Sequence, residues 1–320
     1  MANAFNKQET VMFEQVLEKF DADNMTAKNC AVFRPGAELT ERSNDTIWRP
    51  VPYISTTVQG RTVSDSDFTD LTQLAVPAKA DITENILWNL NAWELRDPLQ
   101  RERKIDSAVQ QLSAVVNRSI ANVVALQGSL VTTSASAASS YDDIAEAEVR
   151  MINEECDMAL DRCYIANAND YKGLAGNLAG RQTMEGKPNM AYERSYVGMI
   201  AGYDTYRTSF QPTLAASAGS TTTTSAQSYV PLATQTNAVN GGESNVDNRF
   251  FDLAVTDSSS FAVGDVITIS GTNAVGMINK EDLSELRTFR VTDIPDGTTL
   301  EITPPPINVT GDKPIVTGKQ

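Results

Sequence analysis

Apolar residues recur along the chain in two rhythms, one helical and one alternating. In residues 97–127, Ile105, Val109, Leu112, Val116, Ile120 and Val123 follow one another at steps of 4, 3, 4, 4 and 3. That spacing lines one face of an α-helix. Asp97 is a favoured N-cap, Pro98 suits the first helical position, and Gly128 predicts a left-handed residue just past the end. The pattern predicts a rod roughly 45 Å long with one buried stripe, a spine for a sheet or another helix to pack on. A shorter stripe of Val11, Met12, Val16 and Leu17, with Glu14, Glu18 and Lys19 largely opposite, predicts an amphipathic helix over 9–19. The polar stretch after it makes residues 1–36 an arm. Another helix is predicted over 141–161, where eight acids (Asp142, Asp143, Glu146, Glu148, Glu154, Glu155, Asp157 and Asp161) face only Arg150. Ile144, Met151, Met158 and Leu160 supply its apolar content.

The alternating rhythm appears in two places. Residues 46–53 are β-rich, but Pro50 and Pro52 exclude a central strand. A turn near Gly60 and a polar tip lead to a second β-like run over 71–76, which predicts a long projecting hairpin. A lone two-stranded hairpin is marginal in water, so it is expected to lie on a neighbouring molecule. Residues 132–140 are a Ser/Ala-rich linker, and 164–210 mix short elements of both kinds. The sharpest change of composition is AASAGSTTTTSAQS (215–228), which predicts a domain boundary. Beyond it come Phe251, Leu253 and Val255, then runs at 266–269, 286–291 and 299–303. Short strands with turn signals between them predict a small barrel or sandwich. The fold class is therefore α+β.

Composition removes most chemistries. Among 320 residues there is no His, so a Ser/His/Asp or Cys/His nucleophile and a His-ligated metal are excluded. The 26 Lys and Arg against 41 Asp and Glu leave −15, which opposes general binding to nucleic-acid phosphates. Cys30, Cys156 and Cys163 have no framework spacing and suggest a reducing compartment. No apolar run reaches membrane-spanning length, and the first residues lack a signal-peptide core.

Motif candidates are few. Cys156 and Cys163 read as a redox pair, a soft-metal pair or, preferably, as small buried hydrophobes. The acids of 142–157 read as a carboxylate metal site or, preferably, as a solvated helix face. Residues 293–297 look like half a calcium loop without its closing Glu, which favours a turn. Gly173, Gly176 and Gly180 fit no phosphate-loop spacing and read as a flexible loop. Arg96, Arg101, Arg103 and Lys104 stand at a helix start as an anion site or as partners in intermolecular ion pairs. No catalytic, cofactor or metal residue emerges, and no enzymatic activity is expected.

RSNDTIWRPV (42–51), LRDPLQRERKIDSAVQQL (95–112), ANVVALQGSLV (121–131), NANDYKGLAG (167–176), SNVDNRF (244–250) and LEITPPPI (300–307) stand in collinear order. Together they resemble the major coat protein of the short-tailed, temperate Salmonella-type phages. The resemblance spans nearly the whole chain. It implies a Hong-Kong-97-type capsid fold with an inserted β-barrel. Residues 1–36 would be an N-arm, and 37–85 an extended loop with candidate contacts at Trp48, Arg61, Asp65 and Asp67. Residues 86–131 would be a peripheral domain with its spine helix over 97–128, 132–215 the first part of an axial domain, and 216–310 the insertion domain. Residues 311–320 would begin a return segment that continues beyond Gln320.

The implied function is self-assembly as hexamers and pentamers into an icosahedral procapsid, in the host cytoplasm, around double-stranded DNA. A scaffolding protein and a portal protein are the implied partners; sequence-specific DNA binding and a membrane are not. The resemblance implies scaffold contact by Glu14 and Glu18, one helical turn apart. It also implies contact between capsomers by the loop of about 236–248, with Glu243 and Asp247. The alternatives are a phage tail or surface adhesin component, suggested by the Thr/Ser-rich linker and β region, and a carboxylate-dependent hydrolase.

Overall fold

The computed structural model describes residues 7–23, 25–31, 46–51, 60–65, 73–79, 84–89, 91–132, 139–156, 161–180, 187–214, 219–224, 229–237, 241–279 and 281–307. Helices α1 (Lys7–Asp23) and α2 (Met25–Lys28) pack on the spine. The spine is α4 (Pro98–Gln127), preceded by the short α3 (Ala92–Arg96). The carboxylate of Asp97 accepts from the Leu99 N–H at 3.0 Å, and Pro98 occupies the first turn, as expected.

Two details of the spine differ from expectation. Gly128 is not left-handed: its φ of −66° and ψ of 120° carry the chain away extended. The Gly128 N–H still donates to Val124 O at 2.9 Å, and side chains from the β region bind the carbonyls of Gly128 and Ser129 just past the helix. The second difference is the buried row. Ile105, Ala108, Val109, Ser113, Asn117 and Ala121 are buried, whereas Leu112, Val116 and Ile120 are half-buried and Val123 is 51% exposed. Steps of four drift around a helix of 3.6 residues per turn, so the covered surface slants across the apolar stripe. The covering elements explain the slant. Met12 and Val16 of α1 pack on Ile105 and Val109. Further along, Asn117 Oδ1 accepts from the Thr26 N–H beside α2 at 3.1 Å, while Asn117 Nδ2 reaches Ser113 Oγ at 3.4 Å.

β1 (Thr46–Pro50) and β2 (Ala75–Lys79) form the expected antiparallel pair, with Thr46 opposite Lys79 and Pro50 opposite Ala75. The second strand lies later than 71–76. Pro50 and Pro77 are tolerated because each strand of a two-stranded sheet has a free edge.

Helix α5 (Tyr141–Asn153) opens on a capping box between Ser140 and Asp143. It ends well short of residue 161: Glu154 closes it, and Glu155 turns left-handed at φ 57°. Met158 and Leu160 lie outside the described residues. A three-stranded sheet follows, with β5 (Tyr203–Thr208) between parallel β3 (Cys163–Asn167) and antiparallel β4 (Met199–Ile200). Helix α6 (Ala168–Ala179) holds Gly173 and Gly176, and Gly180 closes it, so the expected flexible loop is a helix. A Cβ on Gly173 would stand 2.6 Å from the Ser139 Cβ, so close approach explains that glycine. Helix α7 (Lys187–Arg194) completes this region. Its core gathers Ile144, Ala166, Tyr171, Leu174, Ala175, Val197 and Tyr203.

The β region holds a hairpin, β6 (Thr234–Thr236) with β7 (Glu243–Asn245), and a four-stranded antiparallel sheet. That sheet comprises β8 (Phe251–Ala254), β9 (Val266–Val275), β10 (Asp282–Asp296) and β11 (Thr299–Thr303), in the order β8-β11-β10-β9. All four expected strands are present. β8 and β9 stand at opposite edges, so among the described residues the ladder does not close into a barrel. Leu253, Val255, Phe289, Val291, Leu300 and Ile302 form a separate core. Part of the expected linker is bound to this sheet: Thr223 bridges Val255, and the Thr256 N–H donates to Thr222 O at 2.9 Å.

Candidate functional site

Three surfaces hold the residues singled out by sequence. On α1, Met12 is buried against the spine, and Lys19 Nζ is anchored to Asp106 Oδ1 at 2.6 Å, with Glu102 at 3.6 Å. Hydrogen bonding to Asp106 raises the Lys19 pKa above its ordinary value. With that side of the helix fixed, Glu14 and Glu18 are exposed, four residues apart. Phe13 and Leu17 are also exposed, at 63% and 51%. The outward face is therefore both acidic and apolar, suited to a basic amphipathic partner.

The hairpin places Trp48 opposite Pro77, half-buried. Arg61 and Asp65 are exposed between the strands, and Asp67 lies outside the described residues. Just before the spine, Leu87, Trp88 and Trp93 are exposed, Leu87 at 91% and Trp93 at 81%. The basic group at the spine start is partly used within the chain. Lys104 Nζ pairs with Glu94 Oε2 at 3.0 Å, and that bond lowers the Glu94 pKa.

In the β region Glu243 is exposed on β7. Asp247 is engaged locally: Arg249 grips it from Nε (2.9 and 3.1 Å) and Nη2 (2.7 Å). Beside it the Asn248 amide accepts from Tyr229 Oη (2.7 Å) and Leu232 N–H (3.1 Å) and donates to the carbonyls of Leu232 (2.9 Å) and Val246 (3.1 Å). The spine residues Ile105 and Val109 lie under α1, which carries Glu14 and Glu18 on its exposed side, while Glu243 and Asp247 belong to the β region.

The remaining candidates resolve as structure. Glu154 is not on a solvated helix face: it is only 2% exposed and pairs with Arg150 at 3.2 Å and with Arg287. Cys156 follows α5 and Cys163 opens β3, so they share no helix face, and both are half-buried rather than buried; Cys30 is exposed. Residues 293–296 end β10, and the Asp296 carboxylate accepts from the Thr298 N–H at 2.8 Å to make the turn. Among the described residues no group of three His, Cys, Asp or Glu is placed to hold a metal ion. No helix described is long and apolar enough to cross a membrane.

Sequence reasoning missed Thr288, Arg287 and Arg290. Thr288 Oγ1 donates to Ser129 O at 2.6 Å and Arg290 Nε to Gly128 O at 2.9 Å, which ties the sheet to the chain just past the spine. An Arg between Phe289 and Val291, at the centre of a buried strand, was the available signal.

The family model described as P22 coat protein, gene protein 5, matches residues 1–313. The chain belongs to the P22 coat protein family. It is a coat protein of a bacteriophage capsid, from a structural family without enzymatic activity, and the family implies self-assembly and a place in the virion shell. A capsid role sets aside the tail or adhesin alternative. A solved structure from Mycobacterium phage Che8 aligns with 57% of this chain and 74% of its own, at 15% identity and a TM-score of 0.38, too slight a likeness to add to the assignment.

Proposed function

We propose that the chain is the major capsid subunit that assembles as hexamers and pentamers into an icosahedral procapsid. A scaffolding protein guides assembly, a portal occupies one vertex, and double-stranded DNA fills the shell. The subunit adopts a Hong-Kong-97-type fold with residues 1–36 as N-arm, 37–85 as extended loop, 86–131 as peripheral domain, 132–215 as the first part of the axial domain and 216–310 as insertion domain. The separation of the apolar cores of the spine, the α5–β5 region and the β sheet supports this division.

The observation that carries the scaffold step is the outward face of α1. Glu14 and Glu18 are free to meet a basic helix while Lys19 and Met12 bind α1 to the spine. Glu14→Lys with Glu18→Lys is expected to abolish scaffold-directed assembly while leaving the subunit folded. Co-expression of coat and scaffold followed by electron microscopy reads the result. Procapsids at normal yield would defeat the role given to this face. The net charge of −15 fits a lining over which packaged DNA slides rather than adheres.

A further inference from the structure

Among the described residues, two joints hold the four-stranded sheet to the helices, and they differ in chemistry. The first is at the end of the spine, where Thr288 and Arg290 reach the carbonyls of Ser129 and Gly128 and Arg290 Nη1 also donates to Gly264 O at 2.6 Å. The side chains of Leu126 and Leu214 lie against Gly264 there. The second joint is ionic and joins the end of α5 to the far end of the β9–β10 hairpin. Arg287 donates to Glu154 Oε2, and Arg150 bridges Glu154 Oε1 and Glu285 Oε2, each at 3.2 Å. The Met277 N–H donates to Glu154 O at 3.2 Å. Next along the chain, Glu155 Oε2 accepts from the N–H groups of Ile278 (2.6 Å) and Asn279 (2.8 Å), and Oε1 accepts from Asn279 Nδ2 (2.5 Å).

We propose that the Glu154–Glu155 corner is a latch: closed, it pins the far end of β9–β10 to α5; released, it lets that end swing while the spine joint stays made. Three features carry the inference. Glu155 is held at φ 57°, a left-handed conformation that is strained for a non-glycine residue and persists only where its surroundings enforce it. Gly276 packs so closely that an added Cβ would meet the Glu155 carboxylate at 2.8 Å, so the corner fits in one setting. The β9–β10 ladder shifts register between Asp282 and Leu286 and again between Leu286 and Thr288, so the latched end is set off from the regular part of the sheet.

Hydrogen exchange on the full-length subunit tests this. Glu155→Gly removes three accepted hydrogen bonds, relieves the backbone and spares the Glu154 ion pairs. It is expected to speed exchange at residues 276–287 by roughly ten-fold, with Leu300, Ile302 and the buried spine residues unchanged. Acceleration spread equally over β11 and α4, or none at 276–287, would overturn the latch. If that variant does not fold, Glu285→Gln removes an exposed carboxylate that Arg150 holds. A local rise at 276–287 upholds the proposal, and an unchanged or uniformly altered profile rejects it.

Discussion

At the residue scale, three side chains do more than their positions in the sequence announce. Asn248 makes four hydrogen bonds that tie the 229–232 segment to the end of the β6–β7 hairpin. Net hydrogen-bond contributions of roughly 0.5–1.5 kcal/mol each, reduced by partial exposure, put the cost of Asn248→Ala at about 2 kcal/mol. A urea midpoint equal to that of the parent protein would show that water replaces the amide. Tyr229 and Tyr164 supply a pH dependence. Burial first, then the Asp247 charge, raises the Tyr229 phenol above its ordinary pKa of 10.0; burial, then Asp170 and Asp143, does the same for Tyr164. Folding thus favours the neutral phenols. Their contribution is complete below about pH 10 and is lost as pH climbs through the folded values. The phenolate absorbance lost on replacing both with Phe should be a component that ionises above pH 10, and the double replacement should flatten the alkaline loss of stability.

At the element scale, the spine separates what an apolar repeat can tell from what it cannot. Ile105 and Val123 belong to one repeat, but only Ile105 is buried within the subunit. Ile105→Ala is expected to cost roughly 2–5 kcal/mol, whereas Val123→Ala should stay within about 0.5 kcal/mol in the free subunit. Equal losses in thermal unfolding would mean the apolar stripe is covered along its whole length. The helix and its N-cap were legible because Asp97, Pro98 and the repeat are local signals. The slant of its buried face was not, because it depends on Asn117 meeting Thr26, 91 positions away in the chain. The four β strands were legible from alternation. Burial of Glu154 was hidden for the same reason as the slant: its partner Arg287 is 133 positions distant. The sheet's turns carry a second pH effect. Hydrogen bonds from the backbone N–H groups of Ser259, Ser284 and Thr298 hold Asp257, Asp282 and Asp296 below the ordinary 3.8. Depressed carboxylates stabilise the fold above that value and lose their effect as pH falls through the folded values. Replacing all three with Asn should therefore weaken the acid dependence of unfolding below about pH 4, measured by circular dichroism.

At the scale of the whole molecule, the division between surfaces satisfied within the chain and those left open follows its membership of a self-assembling coat family. The cores are buried within the chain, yet Leu87 and Trp93 stand almost fully in water. Large aromatic side chains contribute to the fold only when buried, and at interfaces they carry a disproportionate share of the association energy. Trp93 is presented on α3, which Glu94 anchors by accepting from the Asn91 N–H at 3.2 Å and pairing with Lys104 of the spine at 3.0 Å. Such an anchored presentation fits a side chain that a neighbouring subunit covers. Trp93→Ser is expected to leave free-subunit stability within about 0.5 kcal/mol, since the ring contacts little in its own chain. Assembly should suffer by roughly 2 kcal/mol per covered ring, seen as a higher concentration threshold for shell formation by light scattering. Acrylamide quenching provides the independent check: Trp93 emission should be accessible in subunits and protected in shells, and equal quenching in both would place the 84–96 segment on the shell surface rather than between subunits.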